Sequence, residues 1–277
     1  MWISREFQED PGIELLEDPD RLLDLPQCEI VKDQKKIKVG RVMLGLGVEL
    51  REIYIKRYNP FSWRHRIGSL FVSSAAVRSL AGARILKDAG FCTGEPVAAV
   101  EFRRWGLLGK SFYLSQGIFR GKTVDAYWRE KLIPIPRAEG FRSRRQFLRG
   151  LAGLYRSLHE AGIYHNDLKD ANVMIPADCA PGSELFCLLD LEGVRRYYRL
   201  SVKRKIKNLV QLQRTMGRML SRSQSLYCLR AYLDESFFDS KSRRGWVRKI
   251  LRTSAREEDR SLRRRLREAA VAGAYGR

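Results

Sequence analysis

Between Cys28 and Tyr58 the chain reads CEIVKDQKKIKVGRVMLGLGVELREIYIKRY, a stretch rich in β-branched residues that alternates in places between apolar and polar and is broken by Gly40, Gly45 and Gly47. That pattern predicts two or three antiparallel strands joined by tight turns. The period then lengthens. From Ser73 to Ala89, the residues Val77, Leu80, Ala81, Arg84, Ile85 and Ala89 recur at three- and four-residue spacings, and Gly90 follows, which predicts a helix with a glycine stop. PVAAVEF (96–102) and SFYLSQ (111–116), joined through the turn-prone WGLLGK, predict two more strands, giving a sheet of about five strands with one inserted helix.

Past the proline-punctuated KLIPIPRAEG the pattern turns helical: Arg145 to Glu160 carries Phe147, Leu151, Leu154, Tyr155 and Leu158 on one face, with Gly162 as the stop. A short strand pair, NVMI and FCLLDL, follows, and helices run from there to the end. Sheet first and helices second predicts an α+β chain of two lobes with a hinge near Gln116 to Thr123. The expected divisions are an acidic N-terminal extension (1–27), a small, mainly antiparallel β N-lobe with one helix (28–118), a larger helical C-lobe (119–255) and a basic C-terminal tail (256–277). Ligands favour the cleft between such lobes.

Composition narrows the partner. With 277 residues, 44% hydrophobic and 31% charged, the chain is neither fibrous nor mostly disordered. Its 53 Lys and Arg against 32 Asp and Glu give +21, which calls for an anionic partner: a phosphate-rich ligand, a nucleic acid or an acidic membrane surface. The charge is unevenly spread, since residues 1–35 hold ten acidic and four basic side chains, and residues 203–277 hold 21 basic and seven acidic. The five cysteines, Cys28, Cys92, Cys179, Cys187 and Cys228, are scattered, with no Cys-x-x-Cys and no His at zinc spacing, so reduced thiols in a cytosolic protein are expected. The opening MWISREFQEDPG lacks a basic start with an apolar run, and no 18 apolar residues occur in succession, so neither secretion nor a transmembrane anchor is expected.

The sharpest candidate chemistry lies in IYHNDLKDANVMI (163–175), directly after the amphipathic helix and its glycine. It resembles the catalytic loop of the protein-kinase-like fold, H-x-D-x-x-x-x-N. That spacing serves a carboxylate that takes or orients the proton of an attacking hydroxyl, and an amide five residues on that reaches magnesium on the ATP phosphates. Asp167 and Asn172 stand at those places, and Lys169 is positioned to neutralise charge on the transferred phosphoryl group. His165 reads as a brace of the loop. In FCLLDLEGV (186–194) an apolar strand ends in Asp190, similar to the metal-binding DFG strand end of kinases, but Leu191 replaces Phe and Glu192 is interposed before Gly193. In EIYIKRY, Lys56 lies between apolar neighbours like the phosphate-gripping lysine of kinase strand three. Two landmarks are missing: the glycine hairpin is not a G-x-G-x-x-G, and no Glu occurs between Glu52 and Glu95, so the helix after Lys56 offers the lysine no carboxylate partner except the poorly placed Asp88.

The run YIKRY, the helix ending ILKDAGFCTGEPVA, the HNDLKDANVMI loop, the LLDLEGV strand and the helix with Asn208, Leu209, Leu212 and Arg214 together resemble the bacterial lipopolysaccharide core kinases, the Kdo and heptose kinases, over roughly residues 28–233. The resemblance implies a two-lobed protein-kinase-like fold and ATP- and Mg2+-dependent phosphorylation of a sugar hydroxyl of the lipopolysaccharide inner core, at the cytoplasmic face of the inner membrane. It implies Asp167 as base, Asn172 and Asp190 as magnesium ligands, and Lys56 on the nucleotide phosphates. The basic clusters RLSVKRKIK, 241–252 and 256–270 suit an anionic glycolipid and peripheral contact with an anionic membrane, each cation near such a surface contributing about 1 kcal/mol. Trp246, Val247, Ile250 and Leu251 in the second cluster fit packing against the lobe better than an interfacial helix. Alternatives are an atypical serine/threonine protein kinase, disfavoured by the short segment after Asp190, and an ATP-binding pseudokinase, motivated by the missing glutamate. A nucleic-acid module shows no motif to support it. Which sugar is phosphorylated, and the oligomeric state, carry no readable code.

Overall fold

A computed structural model of the chain describes residues 1–8, 18–46, 49–60, 68–118, 120–180 and 182–274; Gly47 of the glycine-broken hairpin and the last three residues of the basic tail lie outside them. The chain divides into two compact units, one of residues 1–122, 172–179 and 185–196, the other of residues 123–171, 180–184 and 197–277.

The first unit is built on an antiparallel sheet. Its strands are β1 (Trp2–Ile3), β2 (Glu29–Gln34), β3 (Ile37–Leu46), β4 (Glu49–Tyr58), β6 (Pro96–Arg104) and β7 (Leu107–Gln116), in the order β1-β6-β7-β4-β3-β2. Two or three strands were expected between Cys28 and Tyr58, and three are present. The sixth strand, β1, was not legible because two residues are too short to show a period. They pair in register with Ala99 and Ala98 of β6. A second piece of the stretch 1–27 also joins this layer: helix α1 (Pro19–Leu23) places Leu22 and Leu23 in the core with Ile53, Ile55, Val97, Phe112 and Leu114. Asp20 anchors it by accepting from Arg57 at 3.0 Å and by pairing with Lys110.

The one long helix of this unit, α2 (Ala75–Asp88), starts at Ser74, whose hydroxyl accepts the Val77 N–H at 3.2 Å. It ends as the sequence predicts. Gly90 takes φ +77°, and its N–H and that of Phe91 return to the Lys87 and Leu86 carbonyls, both at 2.9 Å, the paired closure of a Schellman end. After it comes β5 (Cys92–Thr93), which pairs in parallel with β11 (Cys187–Leu188), itself antiparallel to β10 (Val173–Ile175); the short strands β8 (Lys122–Thr123) and β9 (Ile163–His165) lie between β5 and β10 in the chain. In that register Cys92 faces Cys187, and the two are joined in a disulfide. This corrects the expectation of five reduced thiols: two strand ends 95 residues apart are brought to a Cα–Cα distance of 4.4 Å by sheet pairing, which cysteine spacing cannot reveal. Cys28, Cys179 and Cys228 are free.

The second unit is helical. It contains α3 (Val124–Tyr127), α4 (Arg137–Glu160), α5 (Val202–Arg214), α6 (Arg222–Leu233) and α7 (Ser240–Ala274). Helix α4 buries Phe147, Leu148, Leu151, Ala152, Tyr155, Leu158 and His159 along one face. Helix α6 opens with a capping box in which Ser221 and Gln224 exchange side-chain and backbone bonds. Trp246 of α7 meets Tyr232 of α6 edge-on at 5.7 Å, the packing role expected for it. Helix α7 passes residue 256 without a break. No helix among the described residues is long and apolar enough to cross a membrane.

Candidate active site

Of the five residues singled out by sequence, Lys56, Asn172 and Asp190 lie in the first unit, and Asp167 and Lys169 in the second. Each group is built differently.

Lys56 sits on β4 between Val39 of β3 and Tyr113 of β7, held from both sides by the ladder. Its ammonium pairs with the Asp190 carboxylate. This answers the missing glutamate: the partner of Lys56 comes from a residue 134 positions away rather than from the following helix. Burial works against the charge of Lys56, but Tyr58, Asp190 and Glu192 outweigh it, and its pKa ends above the ordinary lysine value. Tyr58, two residues on, donates to or accepts from Ser79 of α2 at 2.9 Å, which ties the lysine strand to the helix.

Asp190 follows β11, and Asn172 precedes β10. The Leu189 N–H donates to the Asn172 carbonyl at 2.9 Å, so one backbone bond holds the two residues at the same end of the β10–β11 pair. A carboxylate and a carboxamide there are oxygen donors of the kind a hard divalent cation takes. Asp190 has φ +58°, a left-handed conformation that Asp tolerates better than most residues but still at a cost. The turn after it, Leu191–Gly193, packs on α2, where a Cβ added to Gly82 would meet the Leu191 carbonyl oxygen at 2.2 Å. Arg78 of α2 lies 3.9 Å from Glu192. Here the helix supplies the cation and the interposed Glu192 the anion. Sequence reasoning noted Glu192 only as a departure and missed Arg78, whose partner is distant along the chain.

In the second unit, Lys169 Nζ lies 2.7 Å from Asp167 Oδ2, with both side chains roughly two-fifths exposed. Beneath this exposed pair is a buried polar frame. Asn208 of α5, fully buried, donates to the His165 carbonyl at 2.6 Å and to Gln211 Oε1 at 2.8 Å. Both its amide hydrogens being used, its Oδ1 accepts from His159 Nε2 at 3.2 Å. His159 is therefore the tautomer protonated on Nε2, and its Nδ1 accepts the Tyr232 hydroxyl at 2.9 Å. Gln211 Oε1 also takes the Leu168 N–H at 3.1 Å, and its amide donates to the Asn166 carbonyl at 2.7 Å. His165 Nδ1 accepts the Asp167 N–H at 3.2 Å, and Tyr155 donates to the Leu168 carbonyl at 3.0 Å. His165 thus braces the loop, as expected for it. Gln211 and His159 were missed, because polar residues on helix faces look like solvated positions until the fold buries them. Burial pushes His159 down to about 4, so it is a neutral strut at physiological pH. Burial also raises Asp170. Gly162, at φ +71°, lets the chain enter the loop: a Cβ there would meet the Tyr197 carbonyl oxygen at 2.1 Å.

The fold has a solved relative. The structure described as WaaP in complex with acyl carrier protein superposes with a TM-score of 0.64 over 92% of this chain and 99% of that one, at 20% identity, which establishes a mixed α+β kinase-like fold. Comparison with curated proteins gives no significant match. The family model described as Lipopolysaccharide kinase (Kdo/WaaP) family matches residues 49–232, a span that takes in Lys56, the loop 163–175, Asp190 and the brace from α5. The chain accordingly belongs to the lipopolysaccharide kinase (Kdo/WaaP) family, and is a phosphotransferase of the class that phosphorylates sugar hydroxyls of the lipopolysaccharide core.

Proposed function

We propose that the chain transfers the γ-phosphoryl group of ATP to a hydroxyl of a Kdo or heptose residue in the lipopolysaccharide inner core, working at the cytoplasmic face of the inner membrane as a peripheral protein. The observation that supports this best is the loop 163–175, where a partly exposed Asp167 is held over a hydrogen-bonded frame centred on the buried Asn208 and His159. In this reading Asp167 accepts the proton of the acceptor hydroxyl as its oxygen bonds to the γ-phosphorus. The bond from that phosphorus to the bridging oxygen breaks, and ADP leaves with the electron pair. Lys169 places positive charge beside the transferred group, and Lys56 holds the nucleotide phosphates. Asn172 and Asp190 are the residues that would hold magnesium, which when bound neutralises negative charge on the phosphates. The pairing of Lys56 with Asp190 keeps both side chains extended toward one another before either meets a ligand.

Net charge of +21 supports an anionic glycolipid acceptor and an anionic membrane surface. The solved WaaP structure contains acyl carrier protein, and we extend a carrier-protein partner to this chain as a proposal, tested by gel filtration of the purified chain with purified acyl carrier protein. The activity is tested by transfer of labelled γ-phosphate from Mg-ATP to truncated-core lipopolysaccharide, with casein as a competing acceptor. Label in the glycolipid that disappears with Asp167→Asn supports the reading. Label in casein alone replaces it with a protein kinase, and label in neither with a pseudokinase.

A further inference from the structure

Beside Asp167 lies a cavity of about 340 Å³ whose lining comes entirely from the second unit: Asp167, Lys169, Lys207, Arg214, Arg218 and Gln211 among others. Its size falls in the range of small-ligand sites, about 300–1,000 Å³. Four cations line it against two carboxylates, and both carboxylates are already engaged, Asp167 with Lys169 and Glu257 with Arg260 at 3.0 Å. No carboxylate pairs with Lys207, Arg214 or Arg218 among the described residues. Lys207 is oriented by Asn166 Oδ1 at 3.1 Å. Arg214 is half-buried at the cavity wall, and its guanidinium is a planar fork of N–H donors that matches a carboxylate or phosphate.

Resting on the kinase reading above, we propose that this cavity seats an anionic substituent of the acceptor sugar, a carboxylate or a phosphate, with Arg214 as the anchor and Arg218 and Lys207 supplying further charge. Lys56, Asn172 and Asp190 do not contribute to the lining, and Lys169, assigned to the transferred phosphoryl group, already pairs with Asp167, so the anion met by Arg214, Arg218 and Lys207 is assigned to the acceptor. Because Asp167 lines the same cavity, the anion sits on the phosphorylated sugar or its immediate neighbour, and an acidic sugar such as a keto-sugar acid is favoured over a neutral one.

The test is steady-state transfer to water-soluble, de-acylated core oligosaccharide in three forms: intact, with sugar carboxyls reduced to alcohols, and enzymatically dephosphorylated. Wild type, Arg214→Gln, Arg214→Lys and the double variant Arg214→Gln/Arg218→Gln are compared, with circular dichroism checking the fold. The double variant is expected to raise the acceptor KM about tenfold or more, with the KM for Mg-ATP within about twofold and Arg214→Lys intermediate. That penalty is expected to vanish on whichever acceptor lacks the recognised anion, loss with the reduced form identifying a carboxylate and loss with the dephosphorylated form a phosphate. An unchanged acceptor KM, or a penalty that persists on both stripped acceptors, overturns the proposal. Failure of the wild type to phosphorylate any core oligosaccharide overturns the kinase reading instead. Calorimetric titration with the keto-sugar acid and with inorganic phosphate then decides the cavity: saturable binding lost in the double variant upholds it, and no binding of either overturns it.

Discussion

Replacing Asn208 by Ala removes the centre of the frame under the loop. Its amide bonds the His165 carbonyl at 2.6 Å and Gln211 Oε1 at 2.8 Å, and its oxygen receives His159 Nε2 at 3.2 Å, all with the side chain fully buried. Gln211 Oε1 keeps the Leu168 N–H at 3.1 Å and so remains bonded. The His165 carbonyl and the His159 N–H are left without this partner, and each unsatisfied buried group costs about 1–3 kcal/mol. With partial relaxation the expected loss is about 2–4 kcal/mol, a large share of the 5–15 kcal/mol typical of native proteins. The urea midpoint should fall with the slope unchanged. The loop carrying Asp167 should also shift, and a displacement near 1 Å costs about 10²-fold in rate, so kcat measured well below the melting transition should drop by about that factor. Asn208→Asp leaves no cavity but replaces the donors by an acceptor facing the His165 carbonyl, and is expected to be as damaging. A midpoint and kcat close to wild type in either variant would refute the loop-brace reasoning.

Other substitutions probe separate contacts. His159 stays neutral in the fold down to about 4, whereas the unfolded chain takes up a proton near 6.5, so the unfolded state binds more protons between those values and stability rises with pH across that window. The contribution, about 3 kcal/mol at most, is present above pH 6.5 and lost as pH falls toward 4; His159→Gln should flatten that part of the stability–pH curve in denaturant titrations. Cys92→Ser opens a cross-link closing 95 residues and should cost about 2–5 kcal/mol, while alkylation of the unfolded, unreduced protein should label three of its five cysteines. Five labelled cysteines would remove the disulfide. Gly82→Ala should destabilise by about 1–3 kcal/mol, despite its better helix propensity, because the new methyl meets the Leu191 carbonyl oxygen; a neutral or stabilising result would show that the turn after Asp190 can yield.

Much of the first unit was legible because its elements announce themselves locally: alternation over 28–58, a three- and four-residue apolar spacing over 73–89, and at the helix stop a glycine, Gly90, that takes positive φ. The loop 163–175 was legible as a spacing. What escaped depends on partners distant in sequence. Lys56 finds Asp190, Arg78 meets Glu192, and Cys92 meets Cys187, none of which leaves a mark in its own neighbourhood. Asn208 stood out only through family resemblance, and Gln211 and His159 not at all, since a polar helix residue becomes a strut only when tertiary packing denies it water. The N-terminal stretch hid β1 and α1 under its acidic composition, although Leu22 and Leu23 lie in the core.

The most direct measurement is mass spectrometry and phosphorus NMR of core oligosaccharide recovered after incubation with Mg-ATP and either the wild-type chain or Asp167→Asn. Addition of one phosphate to a Kdo or heptose hydroxyl by the wild type, absent with the substituted chain, is the predicted result. An oligosaccharide unchanged by a folded wild-type protein, or one phosphorylated equally by Asp167→Asn, would contradict it.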